Sequence, residues 1–302
     1  MTTDLDLKKL LLLDVGGTFI KCSDGREIPV DSDGSREEIA SAFREAVGNF
    51  CTEASEKSVR NITARMGTGT IENCTSAEYG IAVAIPGPFD YTDGVFLMKH
   101  KFASVYGENF RSVAEIPECV QLRFAHDVNV MLEGEMHSGN GRGWSRGALV
   151  SLGTGLGFAL SIDGKVLKKP TGSPLVSIFS LPYRDGILED YASKRAFMRI
   201  FSSLGGVGAE SVKEIAKLAG KGDARALETF RLVGETVAAA IAPILEEYGV
   251  ECLLFGGQIS RSFSLMEQSV REKLSAVTSL KYIGPVSDFG NATFNGLRCL
   301  FE

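Results

Sequence analysis

Asp14-Val15-Gly16-Gly17-Thr18 follows an apolar run, Leu10 to Leu13. Backbone N–H groups bared by glycine can cradle a phosphate, and the Thr18 hydroxyl can donate one more hydrogen bond. A carboxylate in the place of Asp14 suits Mg²⁺, a hard cation that shares oxygen ligands with phosphates. Lys21, close behind, adds positive charge. The same residues equally suit a tight hairpin turn with a capping Asp. A second turn of this kind is Gly153-Thr154-Gly155, within Leu152 to Gly157. Its glycines lead into a strand rather than a helix, which excludes a Rossmann fingerprint, and no GxxxxGK[ST] run occurs. Two phosphate-type turns imply a triphosphate held in a cleft between two domains. Gly256-Gly257 follows another apolar run and would admit a flat base or ribose against bare backbone; a plain strand-to-helix turn is the simpler reading. Asp127 ends a short apolar stretch at the start of a helical pattern, where an ordinary N-cap is expected.

The elements that must position these residues occur twice. Lys8 to Val30 reads as strand, Gly-rich turn, strand, Asp-Gly turn, strand. Arg146 to Lys169 has the same order of parts. Asp24-Gly25 and Asp163-Gly164 are strong hairpin signals, since a two-residue type I′ turn needs positive φ at both positions. This repeat suggests two related α/β domains, with strands and helices alternating and mostly parallel pairing. Ser35 to Glu38 spells a capping box, and Ile39, Ala42, Phe43, Ala46, Val47 and Phe50 recur at helical spacing after it. Residues 51–78 are polar and aperiodic and have no assigned element. Tyr79–Ile85 is a buried strand by composition, stopped by Pro86-Gly87-Pro88, and Val120–Ala125 is a shorter one. Glu189–Leu204 reads as a helix, Ser211 to Glu214 as a second capping box, and Ala224–Tyr248 as a long helix kinked at Pro243. Val250–Phe255 is a further strand, and Phe289–Phe301 is helical in pattern. The expected boundaries are residues 1–124 with 289–302 for the first domain and 125–288 for the second.

Composition narrows the classes. The chain has 302 residues, 44% hydrophobic and 23% charged, an ordinary globular balance. Its net charge of −6 disfavours a general nucleic-acid partner. No apolar run reaches the roughly 18 residues of a membrane span, and the N-terminus does not read as a signal peptide or anchor. The six cysteines, Cys22, Cys51, Cys74, Cys119, Cys252 and Cys299, are scattered without a CxxC and read as reduced thiols of a cytoplasmic protein. The sequons at Asn61, Asn73 and Asn291 mean little without a secretion signal.

In order, DVGGT-x-x-K, IPGPFD, HDVN, LGTGLG, IDGK and FGGQIS resemble the motifs of the ROK family (repressors, open reading frames, sugar kinases), part of the actin-like ATPase and sugar-kinase superfamily. The resemblance runs from about Leu10 to the C-terminus. It implies an α/β protein of two duplicated actin-like, ribonuclease H-like domains around an interdomain cleft, which binds ATP and Mg²⁺ and transfers a phosphoryl group to a sugar hydroxyl. It places ATP and Mg²⁺ at Asp14, Gly16, Gly17, Thr18, Lys21, Gly153, Thr154, Gly155, Gly256 and Gly257, with Asp14 the Mg²⁺ residue, directly or through water. It matches Asp127 to the family's catalytic base, and Pro86, Gly87, His126 and Glu189 to the sugar side. A carboxylate so placed would take the proton of the attacking hydroxyl.

The departures from the family lie on the sugar side. His126 stands where an Asn is expected, and Thr171–Phe179 lacks the family's Glu-x-Gly-His segment. Residues 180–187 hold no cysteine where the family has a zinc loop, so no structural zinc is expected. The leading reading is an ATP-dependent hexose or N-acetylhexosamine kinase, glucokinase-like. A catalytically weak sugar- or nucleotide-binding sensor is the alternative, and a transcriptional regulator without its DNA-binding domain a third. The first strand begins near Leu10, which leaves no room for an N-terminal winged helix. The expected partner is a small sugar, with neither nucleic acid nor membrane; a homodimer through apolar residues such as Phe102 and Tyr106 depends on their exposure.

Overall fold

The computed structural model describes residues 9–66 and 78–302, without the side chains of residues 59–66. Cys74, the sequon at Asn73, the side chain of Asn61 and the first eight residues lie outside the described residues. The chain divides into two compact units: Met1–Val130 with Lys168–Ser173 and Thr293–Glu302, and Met131–Leu167 with Pro174–Ala292.

The first unit is built on β1 (Lys9–Val15), β2 (Phe19–Cys22), β3 (Glu27–Pro29), α1 (Arg36–Met66), β4 (Tyr79–Ile85), β5 (Phe89–Asp90), β6 (Val95–Phe96), α2 (Phe110–Val113) and β7 (Val120–His126). Its sheet has the order β3-β2-β1-β4-β7. Pairing is antiparallel across β3, β2 and β1 and parallel across β1, β4 and β7. Alternate side chains of β1 and β4 feed opposite faces. Leu11, Leu13, Ile81 and Val83 join a core of α1 and buried phenylalanines, while Leu12, Ala82 and Ala84 meet Leu297. α1 begins where expected: Ser35 N and Oγ both donate to Glu38 Oε2, and Glu38 N donates to Ser35 Oγ. It then continues to Met66, across much of the stretch that carries no sequence periodicity.

α3 (Asp127–Ser138) crosses from the first unit into the second. The second unit follows with β8 (Arg146–Leu152), β9 (Leu156–Ile162), β10 (Lys165–Val166), β11 (Pro182–Tyr183), β12 (Gly186–Ile187), α4 (Lys194–Ser203), α5 (Val212–Gly220), α6 (Ala224–Glu247), β13 (Cys252–Gly256), α7 (Glu267–Lys273) and β14 (Tyr282–Pro285). Its sheet, β10-β9-β8-β13-β14, repeats the first sheet's order and its mix of antiparallel and parallel pairing. The duplication read from the hairpins is therefore present as topology. Phe230, Val233, Val237 and Ile241 of α6 pack with Phe197 of α4 and the buried faces of β8 and β13. α8 (Ala292–Cys299) returns to the first unit through Leu297.

Several expectations change in detail. Asp163 (φ 51°) and Gly164 (φ 74°) are both left-handed, as a two-residue type I′ turn requires. At Asp24-Gly25 only Gly25 has positive φ. There Gly25 N donates to Cys22 O and Cys22 N to Arg26 O, so a three-residue loop closes the hairpin. The helix expected from Glu189 begins at Lys194, because Leu188–Asp190 forms a 3₁₀ turn ahead of it. α6 runs through Pro243 as one element. Phe102 is not an interface residue, since its ring is fully buried, whereas Tyr106 is exposed.

Glu135 of α3 is buried without a cationic partner among the described residues, yet it is well satisfied. Asn140 N donates to Oε2 at 2.9 Å, Ser287 Oγ to Oε1 at 2.7 Å, and Ser287 N reaches both oxygens at 3.0 Å. It ties the end of α3 to the chain after β14. Removing a buried acceptor strands the donors that met it, and each stranded donor costs about 1–3 kcal/mol. Glu135→Ala should cost roughly 3–5 kcal/mol in urea unfolding. Glu135→Gln, which keeps one acceptor oxygen, should cost about half as much.

Candidate active site

Parallel pairing of β1, β4 and β7 brings their C-terminal ends to one edge of the first sheet. Asp14 lies beside Ala84, and Ile85 beside His126. Ligands of open α/β sheets gather at such carboxyl ends. Across the other side of β1, Asp14 is in register with Lys21. The glycine turn between β1 and β2 is closed by Gly16 N donating to Phe19 O, and its outer backbone is pinned by Ser32 N donating to Gly17 O and Val30 N to Thr18 O. Gly16 and Thr18 are exposed, so the turn presents itself to a ligand rather than to the core.

Charge is distributed unevenly over this edge. Burial pushes the Asp14 carboxyl up to about 6, the negative charge of Asp127 adds to that, and Lys21 opposes it. Asp127 goes the other way. Burial alone would raise it, but the charge of His126, the short contact with its ring, the Val128 amide and Lys101 outweigh burial and hold it below the usual carboxylate range. Val128 N donates to Asp127 Oδ1 at 2.7 Å, and His126 Nδ1 lies 2.7 Å from the same oxygen. That imidazole contact is not aligned as a hydrogen bond. Asp127 keeps 44% of its side-chain surface open, so the carboxylate can be reached.

The sugar-side candidates of this unit surround the His126 ring. A Cβ on Gly87 would stand 3.2 Å from Tyr91 Oη and 3.6 Å from His126 Nε2, so the bare backbone of Gly87 lies against both rings. Pro86 precedes it at the end of β4, half-buried. Tyr91 donates its hydroxyl to Ile85 O at 3.0 Å, and its ring centroid is 5.8 Å from that of His126. Burial first, and Asp127 second, keep the Tyr91 phenol protonated. Asn129, two residues after Asp127, donates to Gly172 O at 3.1 Å. Gly172 in turn presses on Tyr91, where a Cβ would come within 2.7 Å of Tyr91 Cβ. Tyr91, Asn129 and Lys101 were not singled out by sequence reasoning. Lys101 stands in Met98 to Lys101, a polar stretch without periodicity, and only its proximity to Gly17 and Asp127 reveals it.

In the second unit Gly153, Thr154 and Gly155 form the tight turn after β8, with Gly153 N donating to Gly155 O. Thr154 is exposed. Glu189 belongs to this turn: its Oε2 accepts from Leu156 N at 2.9 Å, and a Cβ on Gly155 would lie 2.7 Å from the same oxygen. Lys194 N, opening α4, donates to Gly153 O. Gly257, with φ 82°, packs its α-carbon onto the Leu152 carbonyl, where a Cβ would approach to 2.3 Å. No side chain fits at that position without moving backbone. Gly256 is buried against Met131 and Leu149, and packing accounts for its lack of a side chain. The segment expected to lack a zinc loop is the β11–β12 hairpin, where the Arg184 guanidinium lies over the rings of Tyr183 and Tyr191 at 5.5 and 5.4 Å.

The ROK family model matches residues 183–294. The glucokinase of Thermotoga maritima is 23% identical over 226 residues, 68% of this chain and 71% of that protein. A ROK family glucokinase from Streptomyces griseus, solved with glucose and AMPPNP, superposes with a TM-score of 0.72 at 20% identity, over 96% of this chain and 98% of that one. A ROK family transcriptional regulator, a homolog of the E. coli MLC protein, superposes at 0.73 with 18% identity, over 98% of this chain and 78% of that one. These matches bear out the resemblance to the ROK family that the motifs carry, and the fold is the α/β fold of its two-domain, actin-like members. At the level of the family, the relatives are sugar kinases, with regulators among them.

The raised Asp14 carboxyl has a consequence for stability. The folded chain holds this proton more tightly than the unfolded chain, so its contribution is greatest below pH 4 and declines as pH rises to about 6. A shift of about two units corresponds to about 3 kcal/mol. In buffer freed of metal by EDTA, Asp14→Asn should gain roughly 2–3 kcal/mol on the wild type between pH 4 and 7, measured by urea unfolding. A difference that stays constant over that range would contradict this account of Asp14.

Proposed function

We propose that the chain is an ATP-dependent kinase of a sugar hydroxyl, acting on a hexose or N-acetylhexosamine in the cytoplasm. The observation that carries this reading is Asp127: an ionised, reachable carboxylate on the same sheet edge as Asp14 and the Gly16-Gly17-Thr18 turn. An ionised carboxylate can accept a proton, and the place of Asp127 at the sheet edge, reachable beside the glycine turn, suits it to take that of an attacking hydroxyl. The sugar hydroxyl oxygen attacks the γ-phosphorus of ATP, the bond from that phosphorus to the β–γ bridging oxygen breaks, ADP departs, and the hydroxyl proton passes to Asp127. His126 holds Asp127 from the side, and the Gly87 backbone and His126 ring orient the acceptor.

Amides of Gly17 and Thr18 in the first unit, and of Thr154 and Gly155 in the second, are assigned to the phosphates, while Gly16 and Gly153 close the two turns with their own amides. Gly257, and Gly256 through its backbone alone, are assigned to the adenosine end. Asp14 fits Mg²⁺: it is desolvated, faces the like charge of Asp127 and has one cation in register, Lys21, so a divalent ion would relieve it. Mg²⁺ bound there would neutralise phosphate charge.

A second reading is a sugar- or nucleotide-binding protein of weak turnover. It is favoured by Glu189, whose Oε2 is already engaged by the Leu156 amide. A panel of hexoses and N-acetylated hexosamines with MgATP separates the two. The kinase should turn over at least one sugar, and Asp127→Asn should lower kcat by about 10²-fold or more while MgATP still binds. Thermal stabilisation by ligands with no turnover on any sugar would leave the binding protein. Wild-type turnover in Asp127→Asn would remove Asp127 from the chemistry.

A further inference from the structure

Lys101 is a half-buried ammonium with no hydrogen bond or ion pair among the described residues. It is nonetheless held in one place. The next residue, Phe102, has φ 51° and ψ 27°, a left-handed conformation that costs a non-glycine residue of order 1 kcal/mol or more. Its ring is fully buried among phenylalanines, 6.0 Å from Phe43 and 5.9 Å from Phe96 between centroids. Phe102 N donates to Ser32 O at 2.6 Å, and Ser32 N donates to Gly17 O at 3.1 Å. Two hydrogen bonds and one ring thus fasten the backbone beside Lys101 to the glycine turn. The side chain follows: Lys101 Cε lies 3.8 Å from where a Cβ of Gly17 would be. A Cβ at position 17 would only touch the lysine stem at van der Waals distance, while Ser32 Oγ would meet it more tightly at 3.3 Å. The same ammonium acts through space on Asp127.

We propose that Lys101 is a phosphate-binding residue, the cation that meets a polyphosphate seated on the Gly16-Gly17-Thr18 turn. The ligand class follows from the neighbours. The turn offers backbone N–H groups, and beside them the lysine offers a positive charge that no hydrogen bond or ion pair among the described residues takes up. Lys21 stands in register with Asp14 across the strand pair and its charge opposes the rise of that carboxyl, so part of its charge is spent on the carboxylate. A strained residue retained beside a functional group, paid for by buried aromatic packing, is the arrangement expected where position matters more than local stability. With ATP as the ligand, Lys101 would stand at the phosphates beside the proton acceptor, where it would offset charge on the phosphoryl oxygens. That last assignment rests on the kinase reading; binding of the polyphosphate does not.

The experiment is calorimetry on the full chain with inorganic tripolyphosphate, MgATP and adenosine as separate probes. Wild type, Lys101→Met, Lys101→Gln and Lys101→Arg are compared, alongside kcat on the best sugar. A charge-assisted contact is worth about tenfold in affinity or more. Lys101→Met should weaken tripolyphosphate and MgATP at least that much, leave adenosine unchanged, and bind with a shallower dependence on salt. Lys101→Arg should recover affinity to within a few-fold. Lys101→Gln repeats the test should the methionine variant fail to fold. Unchanged tripolyphosphate affinity in both neutral variants overturns the proposal, as does a wild type that binds neither tripolyphosphate nor MgATP. If tripolyphosphate affinity falls with Lys101 but no sugar is phosphorylated by the wild type, the kinase reading fails and the phosphate site stands. If sugars are phosphorylated and Lys101 changes nothing, the phosphate site fails alone.

Discussion

Asp14 and Asp127 bring like charges to one edge of a single sheet, and the surrounding structure has to hold them there. Parallel pairing of β1, β4 and β7 fixes both backbones, since each strand ends at the same edge with β4 between. Side chains cannot separate without breaking register. The two charges are therefore resolved by environment. Both are half-buried: desolvation and the like charge of Asp127 raise Asp14 to about 6 against Lys21, while His126, the Val128 amide and Lys101 hold Asp127 low. Phe102, Ser32 and Tyr91 then read as parts of one device. They seat the cations and rings that make a low carboxylate tolerable beside a high one.

The two units share a topology but use their glycine turns differently. In the first, the turn is pinned from outside by Ser32 and Val30 and leaves Gly16 and Thr18 open. In the second, Glu189 takes the Leu156 amide and α4 begins directly on Gly153. The second turn is thus partly satisfied by its own protein, which limits how many of its amides remain for a ligand. A repeated sequence pattern has been kept as scaffold while its hydrogen-bonding capacity has been divided between structure and binding.

Legibility followed the range of the interactions. The Tyr79–Ile85 strand emerged with its observed bounds, and the Ser35–Glu38 capping box is made atom for atom, because both depend on neighbours within a few residues. The helix start at Lys194 was misplaced because the 3₁₀ turn before it is stabilised by Phe179 O and Leu181 O, which lie upstream of the helical pattern itself. Glu135 reads as an ordinary helical glutamate until Ser287, 152 residues later, donates to it twice.

By itself the sequence determined the alternation of strands and helices, the duplicated hairpins and the glycine turns that follow β1 and β8. It also placed a carboxylate at the end of β7. These are local matters, set by periodicity, by turn chemistry and by the absence of Cβ atoms. Only the tertiary structure decided which carboxylate keeps its charge, that Glu189 serves the Gly155 turn, that Phe102 is core, and that Lys101 stands over Gly17. The physical reason is that burial and charge at a site are sums over atoms brought from far along the chain. No window of sequence contains those sums.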